Sequence, residues 1–290
     1  MNLNKILVGA AGWSYADWKD HFYPKDLSEA QWLSFYSKWF DVVEVNVTYY
    51  TFMNEKIVGG WLQKTENNPD FNFIIKLHQS FTHSRNYKTE DVRSFQSTVD
   101  ILDKGGKLNG ILIQFPYSFR KTAENVQLIN KISTDIYSPN YYLELRHKSW
   151  NDKDLVSEFR RSNIHLCWID QPDIGDVIDW KPDDEIEKLY LRIHGRNSEA
   201  WNSSIRNFGT KQTYAEKSNR YNYLYNKGEI IEFVQVIKNS FKHLKELIII
   251  TNNHPNGNAV INAFEFLEYL KGSVTMPSTT ENRMIELKRK

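Results

Sequence analysis

Short apolar runs rich in Val, Ile, Leu and Tyr recur along the chain, and longer amphipathic segments separate most of them. The runs have the length and composition of buried strands, and the segments between them repeat apolar positions with the period of a helix. The runs are 5–13, 41–46, 71–77, 108–115, 141–146, 164–170, 188–195 and 246–253. The clearest helical segments are 28–39, 90–103, 122–132, 152–162, 229–242 and 258–269.

Strands that alternate with helices in this number predict an α/β fold, a single (β/α)8 TIM-type barrel. A doubly wound open sheet is the alternative, but no GxGxxG or Walker loop follows any of the runs. We expect one domain over 1–271, because neither a repeat nor a linker interrupts it. Within it, the polar and aromatic segment 196–228 is predicted to be a long loop that caps a site. The charged segment 272–290 is predicted to be a polar C-terminal tail that frays.

Polar residues enter the apolar runs near their C-terminal ends, several of them in pairs spaced by two. Residues i and i+2 of a strand share a face, and the active sites of β/α barrels lie at the C-terminal ends of the strands. We therefore expect these side chains to line a polar mouth. They are Glu44, Asn46, Lys76, Gln114, Glu144, Arg146, Asp170, Arg192, His194 and Asn252. An internal ion-pair network that only holds the barrel together is the alternative, although desolvation makes such pairs a poor source of stability.

The residue types suggest acid–base chemistry on an anion. Glu144 or Glu44 is the predicted acid–base carboxylate, and His194 is its predicted partner because a free imidazole titrates near pH ~6.5. Cations that can hold a carboxylate or phosphate are Arg146, Arg192 and Lys76.

Aromatic and polar residues near the predicted strand ends suit a sugar, a nucleoside or a phosphorylated metabolite. The alternative is that the tyrosines only pack the long segment onto the barrel. The predicted substrate contacts, in addition to the three cations, are Asn46, Trp13, Tyr15, His83, Gln114, Asp170, Arg196, Tyr223 and Asn252.

Composition narrows the function classes further. The 290 residues have a formal net charge of +1, which argues against a protein that binds nucleic acid or a membrane surface mainly through charge. No apolar run is long enough for a membrane span and no signal peptide is evident, so we expect a cytoplasmic protein with a small-molecule ligand. The single cysteine, Cys167, is predicted to be a buried apolar residue.

A metal site is a further possibility that the sequence does not favour. Glu44, Glu144, Asp170 and His194 are of ligand type, but HxH and HExxH spacings are absent and cations at the same strand ends would oppose a dication. We therefore predict no metal, and the sequence assigns no cofactor.

Seven motifs in order resemble one known family. They are GAAGWSYADWKDHFYP (9–24), VVEVNVTYYTF (42–52), FNFIIKLHQSFTH (71–83), YYLELRHKSW (141–150), YLRIHGRN (190–197), YNYLYNKGEI (221–230) and TNNHPNGNAVINA (251–263). Together they are similar to the domain of unknown function 72 family, the YecE-like proteins, over roughly residues 5–270. The resemblance implies a β/α barrel and a bacterial-type cytoplasmic protein, and it implies no activity. Two departures, AAGW where TSGW is commoner and TNN where FNN is usual, remove no ionisable group.

The prediction that follows is an enzyme that acts by acid–base chemistry on a small anionic or sugar-like substrate, a class that includes phosphorylated metabolites. A barrel that binds or processes nucleic acid is the first alternative and would need a basic stripe. Its candidate residues are Arg85, Lys88, Arg120, Lys121, Arg196 and Arg206. A non-catalytic binding protein is the second alternative.

Overall fold

The computed structural model describes residues 3–179, 181–182, 185–206 and 213–288. Strands and helices alternate along this part of the chain and the strand ladders are parallel, so the fold is the predicted α/β barrel of TIM type. The strands are β1 (Lys5–Ala11), β2 (Val42–Val45), β3 (Asn72–Lys76), β4 (Leu108–Gln114), β5 (Tyr141–Glu144), β6 (Ile164–Leu166), β7 (Trp168–Asp170), β8 (Lys188–Ile193) and β9 (Glu246–Thr251). The helices are α1 (Trp32–Tyr36), α2 (Glu55–Lys64), α3 (Gln79–Thr82), α4 (Thr89–Lys104), α5 (Ala123–Asp135), α6 (Lys153–Arg161), α7 (Ser198–Arg206), α8 (Tyr214–Ser218), α9 (Lys227–Ser240), α10 (Asn258–Lys271) and α11 (Ser278–Lys288).

Every predicted run contains a strand, but the sixth contains two. It divides at Cys167, so that β6 lies beside β5 and β7 lies beside β8. The predicted runs also extended too far at their C-terminal ends. Asn46, Arg146, His194 and Asn252 all follow the last residue of their strand, because the backbone turns there. Asn46 has φ −88° and ψ −19°, for example, which is helical rather than extended.

Two compact units make up the chain. The central unit comprises Asp41–Trp168 and Gly175–Lys181, and the terminal unit comprises Met1–Phe40, Ile169–Ile174 and Pro182–Lys290.

In the central unit the strands follow the order β6-β5-β4-β3-β2. The register pairs Gln114 with Glu144, so these two polar strand ends lie side by side. It also pairs Val45 with Ile75, so the polar residues that follow them, Asn46 and Lys76, are neighbours.

In the terminal unit the strands follow the order β1-β9-β8-β7. The register pairs Arg192 of β8 with Ile250 of β9, which makes His194 and Asn252 the next neighbours beyond the ladder. An aromatic cluster fills the core beside these strands; its fully buried members are Trp18, Phe22, Tyr23, Trp32, Tyr36 and Phe40.

Two predicted irregular segments contain helices. The segment 196–228 holds α7 and α8 where a loop was predicted; its residues 207–212 lie outside the described residues. The tail was predicted to fray, and for α11 this is wrong. The hydroxyl groups of Thr279 and Thr280 donate to the carbonyl oxygens of Phe22 and His21 at 2.8 and 3.0 Å, which attaches this helix to the N-terminal part of the terminal unit. Residues 289–290 lie outside the described residues.

Candidate functional site

Two carboxylates are completely buried at the strand ends of the central unit. One oxygen of Glu144, the last residue of β5, accepts a hydrogen bond from Nε of Arg146 at 2.8 Å and forms a salt bridge with Nη2 of the same side chain at 2.6 Å. The Arg146 side chain is 12% exposed, so it supplies the positive charge that a buried carboxylate needs and still reaches the surface. Glu44 is equally buried. The pKa of Cys167 is raised mainly by the burial of the thiol and secondly by the negative charge of Glu44. Cys167 is buried, as predicted.

The ends of β3 and α3 form the second part of this site. The Lys76 ammonium lies 4.5 Å from the centre of the Tyr49 ring, and that ring meets the His83 imidazole edge-on at 5.1 Å. Burial, then Lys76 and then Arg146 lower the pKa of His83 to about 4, so the imidazole is neutral at physiological pH. The Thr82 hydroxyl lies 2.9 Å from His83 Nδ1.

Burial raises the pKa of Tyr49 to about 12, with Tyr50 adding to the effect, so its phenol keeps its proton. Lys76 and His83, which the sequence predicted as substrate contacts, therefore both lie against the ring of a tyrosine that the sequence did not single out. Tyr49 lies in the stretch VNVTYY (45–50), which has no pattern typical of a site residue. Its position three residues after Asn46 is the one sequence feature that could have identified it.

Two amide side chains complete the strand ends of the central unit. Gln114 is the last residue of β4 and pairs in register with Glu144. Asn46 directly follows β2, and its side-chain oxygen is buried with no hydrogen-bond partner among the described residues. The Thr48 hydroxyl lies 2.9 Å from the Val45 carbonyl oxygen and 2.7 Å from that of Lys76, which ties the turn after β2 to the end of β3.

Arg192 and His194 share a face in the terminal unit and are both only 1% exposed. Nη1 of Arg192 lies 3.5 Å from Nε2 of His194, and the Asn252 side-chain amide lies 2.8 Å from Nδ1. The Asn252 atom that faces Nδ1 is the amide nitrogen Nδ2, which can only donate, as a guanidinium can. A neutral imidazole has one acceptor nitrogen, so the shorter contact, from Asn252 Nδ2 to Nδ1, is the hydrogen bond. The Asn252 side chain thereby holds the orientation of the imidazole.

Asp170, Arg196 and Tyr223 lie in one ion-pair network of the terminal unit. The Arg196 guanidinium donates to both oxygens of Asp170, at 2.7 to 3.2 Å, and to Glu229 at 2.9 Å. Tyr225 donates to Asp170 at 2.6 Å and accepts from the Gly195 backbone at 2.9 Å, while Tyr223 donates to Glu229 at 2.8 Å. The hydrogen bonds to Asp170 raise the pKa of Arg196, in keeping with a fully formed pair. These contacts connect the turn after β8 to β7 and to the first turn of α9.

The turn after β1 places Trp13 and Tyr15. The Tyr15 hydroxyl donates to the Ala11 carbonyl oxygen at 2.6 Å, and the ring stacks on His254 with 4.5 Å between centroids. The Trp13 carbonyl oxygen accepts from the Tyr23 hydroxyl at 2.5 Å. His254, which the sequence analysis did not select, is 8% exposed, and burial lowers its pKa to about 4.

The four residues considered as metal ligands fall into the two units. Glu44 and Glu144 belong to the central unit, and Asp170 and His194 to the terminal unit. Within the described ranges, no group of three or more His, Cys, Asp or Glu side chains is arranged to hold a metal ion. Within the same ranges, no helix has the length and apolar composition needed to cross a bilayer.

Comparison with known proteins identifies the family. A family model described as "Protein of unknown function DUF72" matches residues 7–284. The UPF0759 protein YunF of Bacillus subtilis strain 168 is 27% identical over 280 residues, which cover 91% of this chain and 94% of that protein.

Two crystal structures resemble the fold closely. A DUF72 family protein from Thermotoga maritima MSB8 is 29% identical, with a TM-score of 0.76 over 92% of this chain and 99% of its own. A DUF72 family protein from Enterococcus faecalis V583 is 22% identical, with a TM-score of 0.74 over 94% of this chain and 100% of its own, and it shows likeness of fold. Because the family model spans nearly the whole chain, the protein belongs to the DUF72 family.

Proposed function

We propose that the protein is an enzyme that acts on a small anionic or sugar-like substrate by acid–base chemistry at the strand ends of the central unit. The observation that supports this most is the grouping of Lys76 and Arg146 with a neutral imidazole, His83. Because His83 is neutral, Lys76 and Arg146 supply the positive charge, which suits a single carboxylate or phosphate group of a ligand. The planar guanidinium of Arg146 has several N–H donors for the oxygens of such a group.

Glu144 is the acid–base carboxylate of this proposal. It ends β5 completely buried, and Nε and Nη2 of Arg146 both contact one of its oxygens, so the orientation of the carboxylate is fixed. A carboxylate fixed in this way can accept a proton from a carbon or oxygen next to the anionic group of a substrate. Glu44 and His194 remain further acid–base candidates, and their roles stay predictions.

The alternative of a non-catalytic binding protein has one observation in its favour. The Glu144–Arg146 contact satisfies both charges without any ligand, as the Asp170–Arg196 pair does in the terminal unit. The nucleic-acid alternative is weaker, because Arg196 and Lys121 of its basic stripe both contact carboxylates.

A ligand screen with turnover detection tests the proposal. The purified protein is screened by thermal shift against sugar phosphates and hydroxy acids, and each hit is incubated with enzyme and followed by NMR. Lys76→Met should weaken binding of a hit by about tenfold to hundredfold, because a charge-assisted contact is lost. Lys64→Met, an exposed lysine on α2, is the matched control and should change nothing.

Glu144→Gln separates catalysis from binding. The amide keeps the shape of the side chain and can still accept from Arg146, so this variant should bind the hit and no longer convert it. Binding without turnover by the wild type would favour the non-catalytic alternative, and a screen with no hit at all would refute the proposal.

A further inference from the structure

Asn46 occupies a capping position but does not cap. It directly precedes the short turn Val47–Tyr49, and its side chain makes no hydrogen bond to the backbone of that turn. Asparagine at such a position normally accepts a hydrogen bond from a backbone N–H two or three residues later. Asn54 and Asn226 do so in this chain, accepting from Ile57 at 2.9 Å and from Glu229 at 3.1 Å. The backbone of the turn therefore does not use the hydrogen-bonding capacity of the Asn46 side chain.

The oxygen that could have capped the turn is an unpaired buried acceptor. Oδ1 of Asn46 has no exposed surface and no hydrogen-bond partner among the described residues. A buried acceptor without a donor costs free energy, and in folded proteins such atoms are few and call for an explanation, such as a missing water or ligand. A ligand that fits here must bring a hydrogen-bond donor.

A lysine ends the strand next to Asn46. Asn46 and Lys76 are the next residues beyond the register pair Val45–Ile75, and the Thr48 hydroxyl joins the two chain segments through the carbonyl oxygens of Val45 and Lys76. The Lys76 ammonium lies 4.5 Å from the centre of the Tyr49 ring, and Tyr49 belongs to the turn that Asn46 precedes. An acceptor for a hydroxyl group and a cation for an anionic group thus lie on adjacent strand ends.

We infer that the central unit recognises a hydroxylated anion, a phosphorylated polyol or a hydroxy acid, with Asn46 accepting a hydrogen bond from the hydroxyl group and Lys76 contacting the anionic group. This inference rests on the proposed function and narrows its substrate class. It makes Asn46 a residue that determines specificity, because an anion without the hydroxyl leaves the buried oxygen unpaired.

Matched ligand pairs test the inference by calorimetry. The pairs are 2-hydroxypropyl phosphate with propyl phosphate, and lactate with propionate, so each pair differs by one hydroxyl group. In the wild type the hydroxylated member of one pair should bind about fivefold to tenfold more tightly, as expected for one hydrogen bond. Asn46→Ala should abolish this ratio, whereas Lys76→Met should weaken both members equally. The pair that shows the preference also distinguishes a phosphate from a carboxylate ligand.

Asn54→Ala provides the control variant. It removes a true helix cap, so it should lower the melting temperature and leave the ligand ratio unchanged, while Asn46→Ala should lose the ratio and keep the melting temperature. Equal binding within both pairs would refute the inference and leave the proposed function intact. No binding of any of the four ligands would count against both. A melting temperature lowered by Asn46→Ala, with the ratio preserved, would show that the residue is structural.

Discussion

His254 should make the stability of the protein depend on pH. The ring is nearly buried, stacks on Tyr15, and lies with Nε2 3.2 Å from the Ser218 hydroxyl. Burial lowers its pKa from 6.5 to about 4, and Asp17 opposes this only in part. The folded state therefore binds the proton less tightly than the unfolded state. Between these two values only the unfolded chain is protonated, so the free energy of unfolding falls as the pH falls.

The size of the effect follows from the two pKa values of His254. The difference between 6.5 and about 4 corresponds to about 3 kcal/mol once the pH is below both values. Between pH ~7 and pH ~5 the expected loss from this residue alone is about 2 kcal/mol.

Urea unfolding at pH values from ~7 to ~5 measures this loss. His254→Phe keeps a stacking ring and removes the titrating group. Over this interval the unfolding free energy of the variant should therefore decrease by about 2 kcal/mol less than that of the wild type. Ser218→Ala is the control, since it removes only the hydroxyl and should retain the wild-type slope. If wild type and His254→Phe show the same dependence on pH, the imidazole is not buried in its neutral form and the reasoning is wrong.

Three substitutions test the packing around the strand ends. Asp170→Asn should destabilise by about 1–2 kcal/mol in chemical denaturation, because Arg196 loses a charged partner but keeps a second carboxylate, and an unchanged midpoint would contradict the network. Gly195→Ala should lower the melting temperature by an amount equivalent to about 2 kcal/mol, since this residue has φ 91° and a Cβ there would lie 2.9 Å from a side-chain carbon. Gly110→Ala should reduce stability by about 2–3 kcal/mol, because its Cβ would lie 2.6 Å from the Asn140 carbonyl oxygen. If the amides of β4 exchange as slowly in this variant as in the wild type, the predicted clash is wrong.

The faces of the strands were predictable from the sequence. Arg192 and His194 alternate with apolar residues, so they had to lie on one face, and the structure brings them together with Asn252. The same spacing of two brings Glu144 and Arg146 into contact. The alternation of side chains is a local property of a strand backbone, which places Glu144 and Arg192; Arg146 and His194 lie just beyond their strands, so their contacts also depend on the turns that follow.

Pairing between distant segments was not predictable in this way. Asp170 and Arg196 remain predicted substrate contacts, and the sequence did not show that they pair with each other. Glu229 and Tyr225 join this pair from a segment more than 25 residues further along the chain. The residue types suit a ligand and a partner side chain equally well, so only proximity distinguishes the two.

The sequence by itself determined the alternation of strands and helices, the barrel class and the polar character of the strand ends, since these depend on periodicity over a few neighbouring residues. Only the tertiary structure decided which polar groups neutralise one another and that His83 and His254 are desolvated. It also decided that the Asn46 side-chain oxygen has no hydrogen-bond partner among the described residues. The physical reason is that desolvation and hydrogen-bond partners depend on groups far apart in the chain, whose distances no local pattern encodes.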